Sequence, residues 1–183
     1  MEKLVQRFQK LLSQTTTSFL RYNHQTIDWN DRMTAIVGAR GVGKTTLILQ
    51  HIKLHHSLKD TLYVSADDFY FSEHKLLEFA EDFHKLGGKH LFVDEIHKYN
   101  GWSKEMKLIY DYLPNLQVTF TGSSILDIFR GTDDLSRRVL LYKMYGMSFR
   151  EYLNMHYQLS LPTYTLEQVL NHEVVSEGIE FPL

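Results

Sequence analysis

Gly38-Ala39-Arg40-Gly41-Val42-Gly43-Lys44-Thr45 fits the pattern G-x-x-x-x-G-K-[ST] of a phosphate-binding loop. The pattern has meaning only between a strand and a helix. Met33-Thr34-Ala35-Ile36-Val37, just before it, reads as a short buried strand. Thr45 to Ile52, just after it, reads as a helix with an apolar face at Leu47, Ile48 and Ile52. The context therefore matches the motif.

Gly38 and Gly43 lack a Cβ, which lets the chain turn sharply and approach a phosphate. The N–H groups of Gly41, Val42, Gly43, Lys44 and Thr45 are candidate donors in a concave anion nest. The helix that follows directs its N-terminus at the same anion. Gly38, Ala39, Arg40, Gly41, Val42, Gly43, Lys44, Thr45 and Thr46 form the expected nucleotide-binding set. Lys44 is expected to bridge the β- and γ-phosphates of ATP, and the Thr45 hydroxyl to ligate Mg²⁺.

The chain of 183 residues is long enough for one domain with a core and part of a second. It has no cysteine, which excludes disulfides and Cys-based zinc sites and suits a cytoplasmic location. No apolar run approaches the ~18 residues of a membrane span. The net charge of −2 gives no nucleic-acid footprint, so nucleic acid would be met only through other domains. The first 150 residues hold 20 basic and 17 acidic groups, and the remainder holds five glutamates and no lysine or arginine. That shift suggests that a nucleotide-binding core over 31–145, preceded by an N-terminal helical segment over 1–30, gives way to the start of a C-terminal helical region over 146–183.

Leu4, Phe8, Leu11 and Leu12 give the chain an amphipathic first helix. Further strands are expected at 61–65, 90–95, 117–121 and 138–143, with helices at 76–83, 103–113 and 122–129 between them. Strands alternating with helices imply an α/β fold with a parallel sheet covered on both faces. Asp94 and Glu95 arrive together at the carboxyl end of Leu91-Phe92-Val93, where such sheets expose catalytic groups. Asp94 can fix Mg²⁺ beside Thr45, and Glu95 can orient and deprotonate a water. Lys44 and Asp94 lie about 50 positions apart, so the acidic strand is third in sequence. The fourth strand then inserts beside the first. Its tip, Thr121-Gly122-Ser123-Ser124, faces the γ-phosphate, and Ser123 is preferred to Thr121 as the hydroxyl that reports hydrolysis. A helix N-cap is the plainer use of that hydroxyl.

These runs, with Ile96-His97-Lys98, Gly101-Trp102, Val118 to Ser124 and Met147 to Leu153, give a resemblance. The chain resembles the AAA-type predicted ATPases of bacteria and archaea, related to the STAND-like branch of P-loop ATPases, over about residues 30 to 153. The resemblance implies a P-loop NTPase three-layer α/β/α sandwich with strand order 5-1-4-3-2. It also implies ATP and Mg²⁺ as cofactors, ATP hydrolysis, and a longer native protein whose missing C-terminal domain is the first partner. A homo-oligomer is compatible with it. His97 stands where relatives tend to have Gln, Arg137-Arg138 where they have Gly-Arg, and Gly146-Met147 where they have Pro-Leu.

Weaker signals remain. Arg40 sits in the loop itself, Arg130, Arg137 and Arg138 sit near strand ends, and all four are candidates to reach the γ-phosphate. His51 and His55 are four apart beside His56, a spacing that suits a metal, but no Glu-based zinc motif accompanies them and they read as a solvated helix face. Trp102 reads as an anchor for the start of a helix. Tyr152, Met155 and Tyr157 read as core or as an interface for a missing segment. The leading function is a Mg-ATP-hydrolysing module that drives or gates an attached effector. A small-molecule P-loop kinase would need an arginine-rich lid, and a GTPase an Asn-Lys-x-Asp signature, and neither is present. A P-loop kinase phosphorylating a small molecule and a nucleotide-binding interaction module with little turnover are the alternatives.

Overall fold

Five short apolar runs become five strands: β1 (Met33–Val37), β2 (Thr61–Ser65), β3 (His90–Asp94), β4 (Gln117–Gly122) and β5 (Leu140–Lys143). They are seen in a computed structural model that describes residues 1–123, 135 and 137–171. β1 is buried at every position, and β2, β3 and β4 at nearly every one. Burial on both faces is why these runs are continuously apolar rather than alternating. All pairings are parallel and the order is β2-β3-β4-β1-β5. This is the expected 5-1-4-3-2, counted from the other edge. Val37 lies opposite Gly122 and Lys143, and Ser65 opposite Asp94. The carboxyl ends of the strands thus come level, and the glycine loop, the acid pair and the tip of β4 share one end of the sheet.

The helices are α1 (Glu2–Gln14), α2 (Asn23–Thr26), α3 (Lys44–His55), α4 (Tyr70–Glu73), α5 (Leu76–Lys85) and α6 (Trp102–Tyr112). Leu4, Phe8 and Leu12 form the buried stripe of α1, which packs on β2 and α3. The end of α1 and the segment after it are fastened to α3 as well. Gln50 donates to the carbonyls of Thr16 and Phe19, and Lys53 to those of Leu12 and Thr15. The core centres on Ile36, Leu47, Ile48, Ile52, Leu91 and Phe120, all fully buried. Each such side chain contributes about 1.5–3 kcal/mol on leaving water. Trp102 opens α6 and its ring lies 5.9 Å from that of Phe120, so it anchors that helix to β4.

The chain divides into two compact units, Met1–Met147 and Ser148–Leu183. Residues 1–30 are part of the first. In the second, α7 (Phe149–Tyr157) and α8 (Leu166–Leu170) each begin with a capping box, Ser148 with Glu151 and Thr165 with Gln168. The side chain of Asn154 accepts from the backbone N–H of Leu161 at 2.9 Å and shapes the turn between them. Tyr152, Met155 and Tyr157 are exposed. The helix expected at 122–129 falls mostly on residues 124–134, outside the described residues, as does Arg130. Among the described residues no helix is long and apolar enough to cross a membrane.

Candidate active site

The glycine loop owes its shape to three glycines, used in two ways. Gly41 and Gly43 have φ of +85° and +98°, the left-handed region that other residues avoid. Gly38 does not turn the chain there. A Cβ on it would lie 2.1 Å from the Met144 carbonyl oxygen, so this glycine permits close approach of the segment after β5. The turn expected at Gly38 and Gly43 falls instead at Gly41 and Gly43. The N–H groups of Gly41, Val42 and Gly43 find no acceptor among the described residues. They open at the N-terminus of α3, which is the donor array an anion needs.

Lys44 is buried, and its Nζ donates to the carbonyls of Gly38 and Ala39 at 2.9 and 3.0 Å. Burial lowers its pKa, opposed by the nearby charges of Glu95 and Asp94. Arg21, which the sequence reading did not single out, supports the loop from outside. Its guanidinium donates to the Val42 carbonyl at 2.6 Å and to that of Tyr145 at 3.0 Å. Nothing local marks that arginine, because its partners lie far along the chain. Ala39, Arg40 and Thr46 are exposed in the loop and the first turn of α3.

Asp94 is the hub of the acidic half. Oδ2 accepts from the Thr45 hydroxyl at 2.6 Å and from the Tyr63 hydroxyl at 2.8 Å. Oδ1 accepts from the Thr121 hydroxyl and from the Glu95 N–H at 3.1 Å. A carboxylate has about four acceptor directions, and here all are used. Burial, and then the Asp94 charge, push the Tyr63 phenol far above its ordinary pKa, so it remains a donor. Tyr63 is a second residue the sequence did not announce. Thr121, fully buried, also accepts from the Glu95 N–H at 3.0 Å, so its hydroxyl is committed to holding the acid pair.

Glu95 itself has φ +52° and ψ +39°, left-handed backbone that is uncommon for a residue with a Cβ. Such backbone costs on the order of 1–3 kcal/mol and gathers at functional sites. It swings the Glu95 carboxylate toward His97 and Ser123. Ser123 Oγ lies 2.7 Å from His97 Nε2 and 3.5 Å from Glu95 Oε2, and His97 Nε2 lies 3.4 Å from the same oxygen. His97 Nδ1 accepts the Ser123 N–H at 3.3 Å, which assigns the ring proton to Nε2. His97, in the sequence only a departure from the family pattern, is the neighbour of both Glu95 and Ser123.

The site suits a magnesium nucleotide on its own chemistry. Because the Thr45 hydroxyl donates its proton to Asp94, its oxygen lone pairs remain for a cation. A hydroxyl oxygen held in place by a carboxylate is a hard donor of the kind Mg²⁺ takes. Arg137 and Arg138 are not near it. They precede β5, at the amino end of a parallel sheet, and Arg138 pairs with Asp111 at 3.1 Å. The structure thus removes both as candidates to reach the γ-phosphate within the same chain.

One expectation is overturned in part. His51 does not lie on a solvated face, although His55, one turn on, is exposed. His51 is 5% exposed and stacks on Trp29 at 3.8 Å between ring centroids. The segment that covers it comes from before β1, and no helical periodicity reports such a partner.

A family model described as AAA domain matches residues 30–153. An uncharacterized protein of the archaeon Methanocaldococcus jannaschii is 32% identical over 157 residues, covering 79% of this chain and 33% of the relative. The chain therefore spans about a third of that relative's length.

Proposed function

The chain belongs to the AAA domain family, and from that membership and the site geometry we propose that it binds ATP with Mg²⁺, hydrolyses it, and uses the cycle to drive or gate an attached effector. One observation carries the reading: the Thr45 hydroxyl and the Asp94 carboxylate, from opposite halves of the motif set, meet at 2.6 Å. Lys44 then leaves the Gly38 and Ala39 carbonyls to pair with the β- and γ-phosphates, and the N–H groups of Gly41 to Gly43 enclose them. Thr45 would hold Mg²⁺ through its free oxygen lone pairs, with Asp94 fixing that hydroxyl from behind, and the ion would neutralise charge on the phosphate oxygens.

Glu95 orients a water and accepts its proton as the water oxygen bonds to the γ-phosphorus. The bond from that phosphorus to the bridging oxygen breaks, and its electron pair leaves with ADP. General-base help of this kind is worth about 10² to 10⁴ in rate. Ser123 and His97, both within 3.5 Å of Glu95 Oε2, hold that carboxylate in place and change their bonding when the γ-phosphate departs. The longer archaeal relative supports a module that acts on further segments of a larger chain. The deciding experiment is Glu95→Gln. ATP binding by calorimetry should persist while turnover falls by at least about 100-fold; hydrolysis at the parental rate would remove Glu95 as the base.

A further inference from the structure

Two to three helical turns along α3 from Lys44, a second cluster of reactive side chains gathers around the opposite end of the sheet. His24 of α2, His51 and His55 of α3, His56 at the end of α3, and His90 at the start of β3 line one cleft of about 490 Å³. We propose that His24, His51 and His55 form a site for a divalent transition-metal ion, with Zn²⁺ the ion the donor set suits best.

Three features support it. His51 and His55 are four residues apart, so one helix face presents both rings. His24 faces them from α2, its ring centroid 5.5 Å from each. One ring nitrogen from each residue lies within 4.8 Å of the other two. Three nitrogens on Zn²⁺ at 2.0–2.1 Å would sit about 3.4 Å apart, so the site closes by movements of at most about 1.5 Å.

The second feature is unmet bonding. His24 Nε2 and His51 Nδ1 are buried and have no hydrogen-bond partner among the described residues. Both rings belong to residues more than nine-tenths buried. Buried polar atoms are nearly always partnered, and two orphaned ring nitrogens in one cluster point to a ligand they share.

The third feature is the surrounding support. His51 Nε2 lies 3.1 Å from His56 Nε2, and His56 Nδ1 lies 3.5 Å from the Thr61 hydroxyl. A His51 proton on Nε2 leaves the Nδ1 lone pair facing the cluster, and the outer partner fixes that tautomer as in known metal sites. Trp29, stacked on His51, sets the plane of the ring. Imidazole donors select zinc and its neighbours over magnesium or calcium. Three protein ligands leave a fourth position for water or an exchangeable group.

The test uses the full chain without an added histidine tag. Co²⁺ serves as a spectroscopic probe and Zn²⁺ as the ion for calorimetry. One equivalent of Co²⁺ should give the visible absorption of a four-coordinate ion, and excess Zn²⁺ should displace it. His55→Ala removes an exposed side chain and should leave the fold intact. It should weaken Zn²⁺ binding by at least about 100-fold, the upper end of what a lost outer partner costs. His74→Ala, an exposed histidine elsewhere, and Asp94→Asn, at the nucleotide site, should bind Zn²⁺ like the parent. Absence of binding, binding undiminished in His55→Ala, or loss of binding in Asp94→Asn would overturn the proposal. Thermal midpoints give a second measurement: Zn²⁺ should raise that of the parent and not that of His55→Ala.

Discussion

Lys44 Nζ donates to the Gly38 carbonyl at 2.9 Å, so the ammonium that should meet phosphate already bridges the two ends of its own loop. Lys44→Ala therefore removes both a ligand for the nucleotide and a tie within the loop. ATP affinity measured by calorimetry should fall below detection, with the chain still folded by circular dichroism. Unchanged affinity would contradict the loop assignment.

Arg21 acts one layer out. It bonds the Val42 and Tyr145 carbonyls with the fork of a single guanidinium. Hydrogen bonds to a charged group are worth about 1.5–3 kcal/mol. Arg21→Ala should lower stability in urea by about 2 kcal/mol and weaken ATP binding roughly tenfold. Arg21→Lys should not restore either, since one ammonium lacks the planar fork. Full rescue by lysine would reduce the role of Arg21 to its charge.

Gly38→Ala places a methyl group against backbone that cannot rotate away, the Met144 carbonyl at 2.1 Å. Overpacking of this kind costs about 1–3 kcal/mol. A drop of about 4 °C or more in the thermal midpoint is expected. Gly41→Ala has free space around the added atom and only its φ of +85° to strain it, so it should cost less. The reverse ranking would show that close approach to Met144 is not what Gly38 provides.

Acid should loosen the histidine cluster in protein freed of metal by a chelator. His51 and His56 are held at about 3 and about 4, below the ordinary 6.5. The unfolded chain then takes up protons first. The stability these neutral rings contribute is complete above about pH 6.5 and is lost as pH falls from there toward 3–4. The thermal midpoint should fall between pH 7.5 and 5, and fall less in His51→Phe. Equal slopes for the two chains would contradict the burial of His51.

The sheet was legible because its signals are local. Each strand is a short apolar run, and the motif at 38–45 fixes which strand carries the loop. Asp94 and Glu95 were legible for the same reason: two acids end a run of Leu91-Phe92-Val93. Tyr63, Arg21 and His97 were not. Their meaning lies in partners brought together by the fold, at separations of 21 residues for Arg21 with Val42 and 31 for Tyr63 with Asp94. His51 was misread because helix periodicity assumes that solvent lies beyond the apolar face. There the covering surface is Trp29 and His24, from another segment.

The stretch from Leu12 to His24 grips α3 along its length, through Lys53, Gln50 and the rings of His51 and His55, while Arg21 reaches the turn just ahead of that helix. It works as a splint. Trimming the chain to the family-matched span beginning at residue 30 would strip this brace and release the helix whose first turn must stay aimed at the nucleotide.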